Sequence, residues 1–402
     1  MIQRNDNVAK LSSNYLFVEI ANRKRALLER HPHAHLISLG IGDTTLPIPK
    51  RIAEAMADAA LRLATPEGYT GYGTSKGRDD LCAAIAKKIY QNRISSNDIF
   101  ISDGAKCDIG RLQHLFPPNA VLALQDPAYP AYIGCSVING HSGEFDPIKQ
   151  RYDRIIYLAS TPENHFFPDL NKAKNADVLF FCAPNNPTGA VYTRKQLQQL
   201  VDFALDEGVL ILYDTAYASY IDDPAIPKSI YEIPKADQVA IETGSFSKSV
   251  GFTGVRLGWT VVPEAVRYQD GTPIRDDWMK VISNCFNGAS NIVQAGGLAA
   301  LTDEGLAAAQ QLINYYRENA ALLKDTMQGK GYRCYGGDHA PYIWVDLEGK
   351  SSWDMFDHIL QEAHIITTPG AGFGPDGEGF LRLSAFGSRE QIADAAERLK
   401  MI

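Results

Sequence analysis

Short apolar runs alternate with amphipathic segments between residues 98 and 250 of the 402-residue chain. This pattern is typical of strands that are buried on both faces and joined by crossover helices. The predicted strands are residues 98–102, 120–125, 177–182, 208–213 and 238–242. We therefore predict an α/β fold with a mostly parallel sheet flanked by helices.

One connection shows how the sequence specifies a crossover helix. Thr193 and Gln196 form a capping box, in which each side chain satisfies a backbone N–H group of the other residue. Apolar residues follow at helical spacing, namely Leu197, Leu200, Val201, Ala204 and Leu205. Gly208 ends the predicted helix. The segment is thus predicted to complete a βαβ unit.

The pattern changes after about residue 285, where long helical segments lead to strand-like residues 342–347 and 380–386. A chain of this length is too long for one hydrophobic core. We predict an amino-terminal segment over residues 1–45, a large domain over residues 46–285 and a smaller α+β domain over residues 286–402.

The amino-acid composition limits the classes of molecule that the protein is expected to bind. Hydrophobic residues make up 45% and charged residues 21% of the chain, and the formal net charge is -8 without a basic block. We expect small-molecule partners, and neither nucleic acid nor an anionic membrane surface. The six cysteines form no C-x-x-C pair, which argues against a disulfide framework and a cysteine zinc site. With no apolar leader or membrane-length run, we expect a cytoplasmic enzyme.

Polar segments follow each predicted strand of the large domain. They are DGAK (103–106), DPAYPAY (126–132), APNNPTG (183–189), DTAY (214–217) and TGSFSK (243–248). Ligands of open parallel sheets bind beyond the carboxyl ends of the strands. The predicted site therefore combines a glycine turn, an aromatic ring, an amide, a carboxylate with a tyrosine, and a lysine with hydroxyls.

Several ligands fit this set poorly. A P-loop for nucleotides would need a glycine five residues before Gly349-Lys350-Ser351, but that position is Trp344. No G-x-G-x-x-G motif for a dinucleotide follows a strand either. A metal site at His31, His33 and His35 is weighed and disfavoured, because Pro32 interrupts the alternation and no carboxylate partner is evident. Pyridoxal 5'-phosphate suits the set, because it needs a lysine for its aldehyde, a carboxylate for its ring nitrogen, and helix N-termini with an arginine for its phosphate.

Three segments, NNPTG, YDTAY and SFSKSVGFTGVRLGW, resemble in order and spacing the class I and II aminotransferases, pyridoxal-phosphate enzymes of fold type I. The resemblance runs through most of the chain. It implies a large cofactor-binding domain, a smaller α+β domain and a homodimer, with residues 1–45 packed against the small domain and the partner subunit.

Four further segments resemble one branch of that family, the aminotransferases of LL-diaminopimelate. They are NYLF (14–17), GIGDTTLPIP (40–49), GYTGYGTSKG (68–77) and SDGAKCD (102–108). The resemblance implies amino transfer between glutamate and tetrahydrodipicolinate, with LL-2,6-diaminopimelate and 2-oxoglutarate as products, towards lysine and cell-wall precursors. Ser75 and Lys76 depart from relatives that carry a glutamate there, which leaves recognition of the distal end of the substrate open.

Other functions share the same cofactor site. Another class I or II aminotransferase, acting on aspartate, alanine or an aromatic amino acid, remains an alternative. A pyridoxal-phosphate lyase or a cyclopropane-forming synthase is a second alternative. A ligand-sensing module of a transcription regulator is disfavoured, because only about forty residues without a basic helix-turn-helix pattern precede the fold.

The resemblance assigns catalytic roles to Lys248, Asp214 and Tyr217. Lys248 would form the Schiff base and move a proton, and desolvation near cationic groups is expected to lower its pKa. Asp214 would pair with the ring nitrogen, while Tyr217 and Asn186 would hold the ring oxygen. The alternative for Asp214 is a helix N-cap after a strand, which we disfavour because an aromatic residue follows three positions on, and the alternative for Tyr217 and Asn186 is turn residues.

The remaining residues would bind the cofactor and the substrate. Arg382 alternates with apolar residues on an apparent strand, where a lone buried charge costs several kcal/mol unless it is paired, and a substrate α-carboxylate is the implied partner. The implied cofactor-binding set is Tyr72, Ala105, Lys106, Tyr129, Asn186, Asp214, Tyr217, Ser245, Ser247, Lys248 and Arg256. The implied substrate-binding set is Tyr15, Gly42, Tyr72, Lys106, Tyr129, Asn186, Asn287 and Arg382.

Overall fold

A computed structural model describes residues 2–11 and 16–402. The helices are α1 (Asp6–Ala9), α2 (Leu16–Arg30), α3 (Lys50–Arg62), α4 (Asp79–Lys88), α5 (Ala105–Leu112), α6 (Ala131–Ile138), α7 (Arg194–Glu207), α8 (Ile274–Cys285), α9 (Asn291–Ala300), α10 (Asp303–Gly329), α11 (Ser352–Ala363) and α12 (Arg389–Met401). The strands are β1 (Ile37–Ser38), β2 (Ile99–Ser102), β3 (Leu122–Asp126), β4 (Phe145–Asp146), β5 (Arg151–Tyr152), β6 (Ile155–Ala159), β7 (Val178–Cys182), β8 (Leu210–Asp214), β9 (Ala240–Ser245), β10 (Gly258–Val261), β11 (Cys334–Gly336), β12 (Tyr342–Asp346), β13 (Ile365–Ile366), β14 (Thr368–Pro369) and β15 (Phe380–Ser384).

The large sheet has seven strands in the order β2-β10-β9-β8-β7-β3-β6. Strand β10 is antiparallel to both of its neighbours, and the other strands are parallel to one another. The carboxyl ends of the parallel strands therefore meet at one edge, where the sequence places the polar segments. The mostly parallel sheet is confirmed, but β6 and β10 are additional strands that the hydrophobic pattern did not predict.

Alternation along the buried strands builds two hydrophobic layers, one on each face of the large sheet. In β7, Leu179 and Phe181 join the layer that packs on α4 and α7, whereas Val178 and Phe180 join the opposite layer with Trp278 of α8. Successive side chains of a strand point to opposite faces, so both faces of β7 must be apolar. This explains why the strand reads as an uninterrupted apolar run.

A second, antiparallel sheet has the order β11-β12-β15-β14 and packs against α10, α11 and α12. Arg382 lies on β15 opposite Trp344 of β12. The short strand β1 pairs with β13, with Ile37 opposite Ile365, so the chain before the large sheet joins the carboxyl-terminal part. Within residues 2–11 and 16–402, no helix has both the length and the apolar character needed to cross a membrane.

The predicted crossover helix is confirmed as α7, which joins β7 to β8. The Thr193 hydroxyl accepts a hydrogen bond from the Gln196 backbone N–H at 3.2 Å, and the Gln196 side chain accepts one from the Thr193 backbone N–H at 2.9 Å. Gly208 ends the helix with φ +72°, a left-handed conformation that glycine adopts without strain. These local signals fix the two strands that deliver Asn186 and Asp214.

Replacement of Thr193 by alanine should lower the free energy of unfolding by about 1 kcal/mol, because one N–H group of the first helical turn loses its acceptor. Thr193→Ser keeps a hydroxyl and is the matched control. Urea unfolding of both variants, compared with the wild type, measures the difference. An alanine variant with the wild-type midpoint would show that the capping box does not stabilise α7.

Candidate active site

A cavity of about 720 Å³ opens at the carboxyl edge of the large sheet and reaches β15 of the second sheet. The predicted site residues that line it are Gly42, Ala105, Lys106, Tyr129, Asn186, Asp214, Tyr217, Ser245, Ser247, Lys248, Arg256 and Arg382. Tyr72 and Asn287 do not line it and are exposed, Tyr72 to 91%. Tyr15 lies outside the described residues.

Asp214 is a buried carboxylate at the end of β8. Its Oδ2 accepts a hydrogen bond from the Tyr132 hydroxyl at 2.8 Å, and its Oδ1 accepts one from the Ala216 backbone N–H at 3.0 Å. Burial raises the pKa of Asp214, and these two hydrogen bonds oppose the rise. A cationic group in the cavity would therefore find a desolvated carboxylate that forms no ion pair with any residue that the structure describes.

Lys248 follows β9 and projects its amine into the same cavity. The Nζ donates a hydrogen bond to the carbonyl oxygen of Gly42. Burial, together with the positive charges of Arg382 and Arg256, lowers the pKa of Lys248 to about 8, although Asp43 opposes the shift. A substantial fraction of this amine is therefore neutral near physiological pH, the form that can react as a nucleophile or accept a proton.

Arg382 crosses from the second sheet into the cavity. Its side chain is only 2% exposed, and its guanidinium donates to Asn186 Oδ1 at 2.8 Å and to the Gly40 carbonyl at 2.6 Å. The Nε is buried without a hydrogen-bond partner among the described residues. Tyr342 and Phe373 stack on the guanidinium, with Cζ 4.3 and 4.7 Å from the ring centroids. No carboxylate of the described part of the chain pairs with this buried cation, and an acidic ligand would supply one.

The amino end of α5 forms a polar cup with the segment that carries Lys248. Gly104 precedes the helix with φ +121°, and a Cβ at this position would lie 2.3 Å from a guanidinium nitrogen of Arg256. Ser245 and Ser247 line the same part of the cavity, and Arg256 donates to the Ser247 hydroxyl at 3.4 Å. Backbone N–H groups at a helix start, two hydroxyls and a guanidinium are a suitable set for a phosphate.

Two tyrosines that the sequence did not single out complete the site. Tyr132 holds Asp214, and Tyr342 shares a hydrogen bond with Tyr217 at 2.6 Å between the hydroxyls. A Cβ on Gly42 would lie 2.1 Å from the Tyr342 hydroxyl, so glycine is required there. Tyr132 stands in the quoted DPAYPAY segment, but Tyr342 carries no local signal.

The chain's residues fit pyridoxal phosphate. The Gly104 cradle and Arg256 suit its phosphate, the buried Asp214 suits a protonated ring nitrogen, and Lys248 has the free amine that its aldehyde requires. Asn186 and Tyr217 also line the cavity. The cavity thus offers the start of α5 with Arg256 for the phosphate, Asp214 for the ring nitrogen and Lys248 for the aldehyde.

The amine of Lys248 should react with formaldehyde and cyanoborohydride with a midpoint near pH 8 in the cofactor-free protein, because the protonated form below that pH is not nucleophilic. Mass spectrometry of the modified peptide across pH measures the midpoint. A lysine-containing model peptide, with a midpoint of about 10.4, is the control. Equal midpoints for the protein and the peptide would show that the cavity does not depress the pKa.

Comparison with known proteins places these features in a family. The model of the family described as aminotransferase class I and II matches residues 34–399. The chain is 55% identical over 402 residues to a chloroplastic LL-diaminopimelate aminotransferase of Arabidopsis thaliana, covering 100% of this chain and 87% of that protein. It is 50% identical over 400 residues to LL-diaminopimelate aminotransferase of Protochlamydia amoebophila, covering 100% and 97%.

A solved structure agrees with the sequence comparison. L,L-diaminopimelate aminotransferase from Chlamydomonas reinhardtii superposes with a TM-score of 0.95 at 56% identity, covering 100% of this chain and 98% of that one. The predicted fold class and cofactor are thereby confirmed. The chain belongs to the class I and II aminotransferases, pyridoxal-phosphate-dependent enzymes of fold type I.

Proposed function

We propose that the protein transfers an amino group from glutamate to tetrahydrodipicolinate, with uptake of one water molecule that opens the cyclic imine, and in the reverse direction, so that the products are LL-2,6-diaminopimelate and 2-oxoglutarate. The observation that carries the proposal is identity of 50 to 55% along the whole chain with proteins of that activity. Transamination converts an amino acid to an oxo acid and the reverse, so the site must bind two different pairs of acids in turn. The product is a precursor of lysine and of cell-wall material.

Arg382 is proposed to bind the α-carboxylate that both substrates share. Its guanidinium is buried, and its Nε has no partner among the described residues. A carboxylate accepts two parallel hydrogen bonds from the guanidinium edge, which fixes its direction as well as its distance. This contact is common to all α-amino acids and does not select among them.

Lys248 is proposed to carry the proton between the substrate α-carbon and the cofactor. Bound pyridoxal phosphate supplies an electron-withdrawing ring that stabilises negative charge at that carbon. Asp214 would keep the ring nitrogen protonated, and Asn186 with Tyr217 would hold the ring oxygen. Gly42 offers Lys248 a neutral carbonyl acceptor, so the amine is held in the cavity without an ion pair. These roles are the ones predicted from the sequence, and their support is that all four residues line one cavity.

A homodimer with shared sites is proposed from two predicted site residues that lie outside the chain's own cavity, Tyr72 and Asn287. Both are exposed, and the segments that carry them are close, because a Cβ on Gly288 would lie 2.7 Å from the Thr74 carbonyl. Site residues on an outer surface suit a second copy of the chain, whose cavity they would complete. The cytoplasmic location and the division after residues 45 and 285 stay predictions.

The substrate is tested by kcat/KM for LL-diaminopimelate, meso-diaminopimelate, aspartate and alanine, with 2-oxoglutarate as acceptor. LL-diaminopimelate should exceed aspartate and alanine by roughly 10⁴-fold, because a site with polar groups for the distal ammonium and carboxylate leaves them unpaired with shorter donors. Arg382→Lys is the control: it should lower kcat/KM for every donor and leave the ratios nearly unchanged.

Comparable kcat/KM values for aspartate or alanine would contradict the substrate assignment and indicate a general aminotransferase. The meso isomer differs from the LL isomer only at the distal carbon. It therefore tests separately whether the chain, with Ser75 where some relatives carry a glutamate, distinguishes the two configurations at that carbon. A ratio near unity between the two isomers would show that the distal centre is not read.

Shared sites are tested by co-expressing Tyr72→Phe and Lys248→Ala chains with different affinity tags and isolating the doubly tagged dimers. Each variant alone should be nearly inactive. Every hybrid would contain one complete site and one doubly defective site, so its activity should be about half that of the wild type. Hybrids of Lys248→Ala with a Tyr72→Phe/Lys248→Ala chain are the control and should stay inactive. Hybrids no more active than their parents would contradict the shared site.

A further inference from the structure

Two aspartates of the SDGAKCD segment lie beside the cup that we propose for the cofactor phosphate. Asp103 precedes Gly104, and Asp108 lies in the first turn of α5. Acidic residues stabilise a helix start through its dipole, but they repel a phosphate that approaches the same N–H groups. The chain therefore needs a way to bind a dianion next to two carboxylates.

Arg111 contacts both of these aspartates. Its Nη2 donates to the two carboxylate oxygens of Asp103 at 2.7 and 2.9 Å, and its Nη1 donates to Asp108 Oδ1 at 2.7 Å. The Arg111 side chain is 15% exposed, so solvent screens these contacts less than at the surface. One guanidinium thus bridges the residue before α5 to the first turn of the helix.

The bridge is anchored on two sides. The other oxygen of Asp108 accepts a hydrogen bond from the Thr260 hydroxyl of β10 at 2.5 Å. The guanidinium carbon of Arg111 lies 4.0 Å from the centroid of the Phe286 ring, a stacking distance. The start of α5 is therefore held against β10 and against the segment after α8.

We propose that Arg111 is a positioning residue of the cofactor site, which neutralises Asp103 and Asp108 and fixes the amino end of α5 so that the phosphate meets a net positive cup. The inference rests on the proposed assignment of the phosphate to this cup. It gives the distinctive SDGAKCD segment a physical role: the aspartates orient Arg111, and Arg111 removes their repulsion. Arg111 itself does not line the cavity.

Asp103 should carry most of the repulsion when Arg111 is absent. Asp108 is fully buried, and burial raises its pKa to about 6, with the Arg111 contact among the groups that oppose the rise. Loss of Arg111 would raise this pKa further, so Asp108 would take up a proton. The Asp103 side chain is 36% exposed, and water solvates its charge. Asp103 is therefore the residue whose removal should compensate for the loss of Arg111.

The test compares dissociation constants of the cofactor-free protein for pyridoxal phosphate and for pyridoxal, which lacks the phosphate. Arg111→Gln should weaken binding of pyridoxal phosphate and not of pyridoxal. The Kd for pyridoxal divided by the Kd for pyridoxal phosphate should therefore fall about tenfold, as expected for one uncompensated charge near the phosphate. The double variant Arg111→Gln/Asp103→Asn should return towards the wild-type ratio. Asp103→Asn alone should bind pyridoxal phosphate more tightly than the wild type does, with no change in the dissociation constant for pyridoxal. Because this variant keeps Arg111, it still tests the proposal if Arg111→Gln does not fold.

Arg275→Gln is the matched control, because Arg275 also bridges two acids, Asp98 at 2.6 Å and Glu264 at 3.0 Å, at the opposite end of β2. The ratio of the two dissociation constants in Arg275→Gln should equal that of the wild type. A wild type that binds both compounds equally would overturn the phosphate cup itself. A wild type that discriminates, with an unchanged ratio in Arg111→Gln or in Asp103→Asn, would overturn the role of Arg111 alone.

Discussion

A buried carboxylate and a buried guanidinium face one cavity without pairing with each other. Asp214 is 7% exposed and Arg382 is 2% exposed. Among the described residues, Asp214 accepts hydrogen bonds from a tyrosine hydroxyl and a backbone N–H, and Arg382 donates to an amide oxygen and a backbone carbonyl, all of them neutral groups. In a low-dielectric interior such charges attract strongly, and direct pairing would close the site. Asp214 ends β8 of one sheet and Arg382 lies on β15 of the other, and no ion pair joins the two among the described residues.

The charged groups of the cavity also act on the amine of Lys248. In the proposed function Arg382 binds the substrate carboxylate and Arg256 the cofactor phosphate, and their charges also help burial to lower the pKa of the Lys248 amine. Under those proposed roles, removal of either guanidinium would change proton transfer by Lys248 as well as ligand affinity. Binding and proton transfer would then be coupled through electrostatics.

The sequence predicted the parts of this arrangement that depend on local patterns. The buried strands and the capping box of α7 follow from short-range periodicity and are found as predicted. Strand β10 was missed because its pairing with β2 and β9 is non-local and its Gly258 and Trp259 do not form an apolar run. Tyr132 and Tyr342 were missed because their partners lie 82 and 125 residues away in the chain. Roles for Tyr72 and Asn287 came from resemblance alone.

Under its proposed role as the receptor for the substrate carboxylate, Arg382 has neutral hydrogen-bond acceptors that affect how the enzyme turns over. An aminotransferase must discharge one acid before it admits the next, so its anion receptor is vacated twice in every cycle. If a carboxylate of the protein waited beside Arg382, each arriving substrate would have to break an ion pair. Its acceptors are instead the Gly40 carbonyl and the Asn186 amide oxygen, two neutral groups that orient the guanidinium without an ion pair. Substrate affinity then reflects the exchange of a neutral acceptor for a charged one, which favours rapid replacement over tight retention.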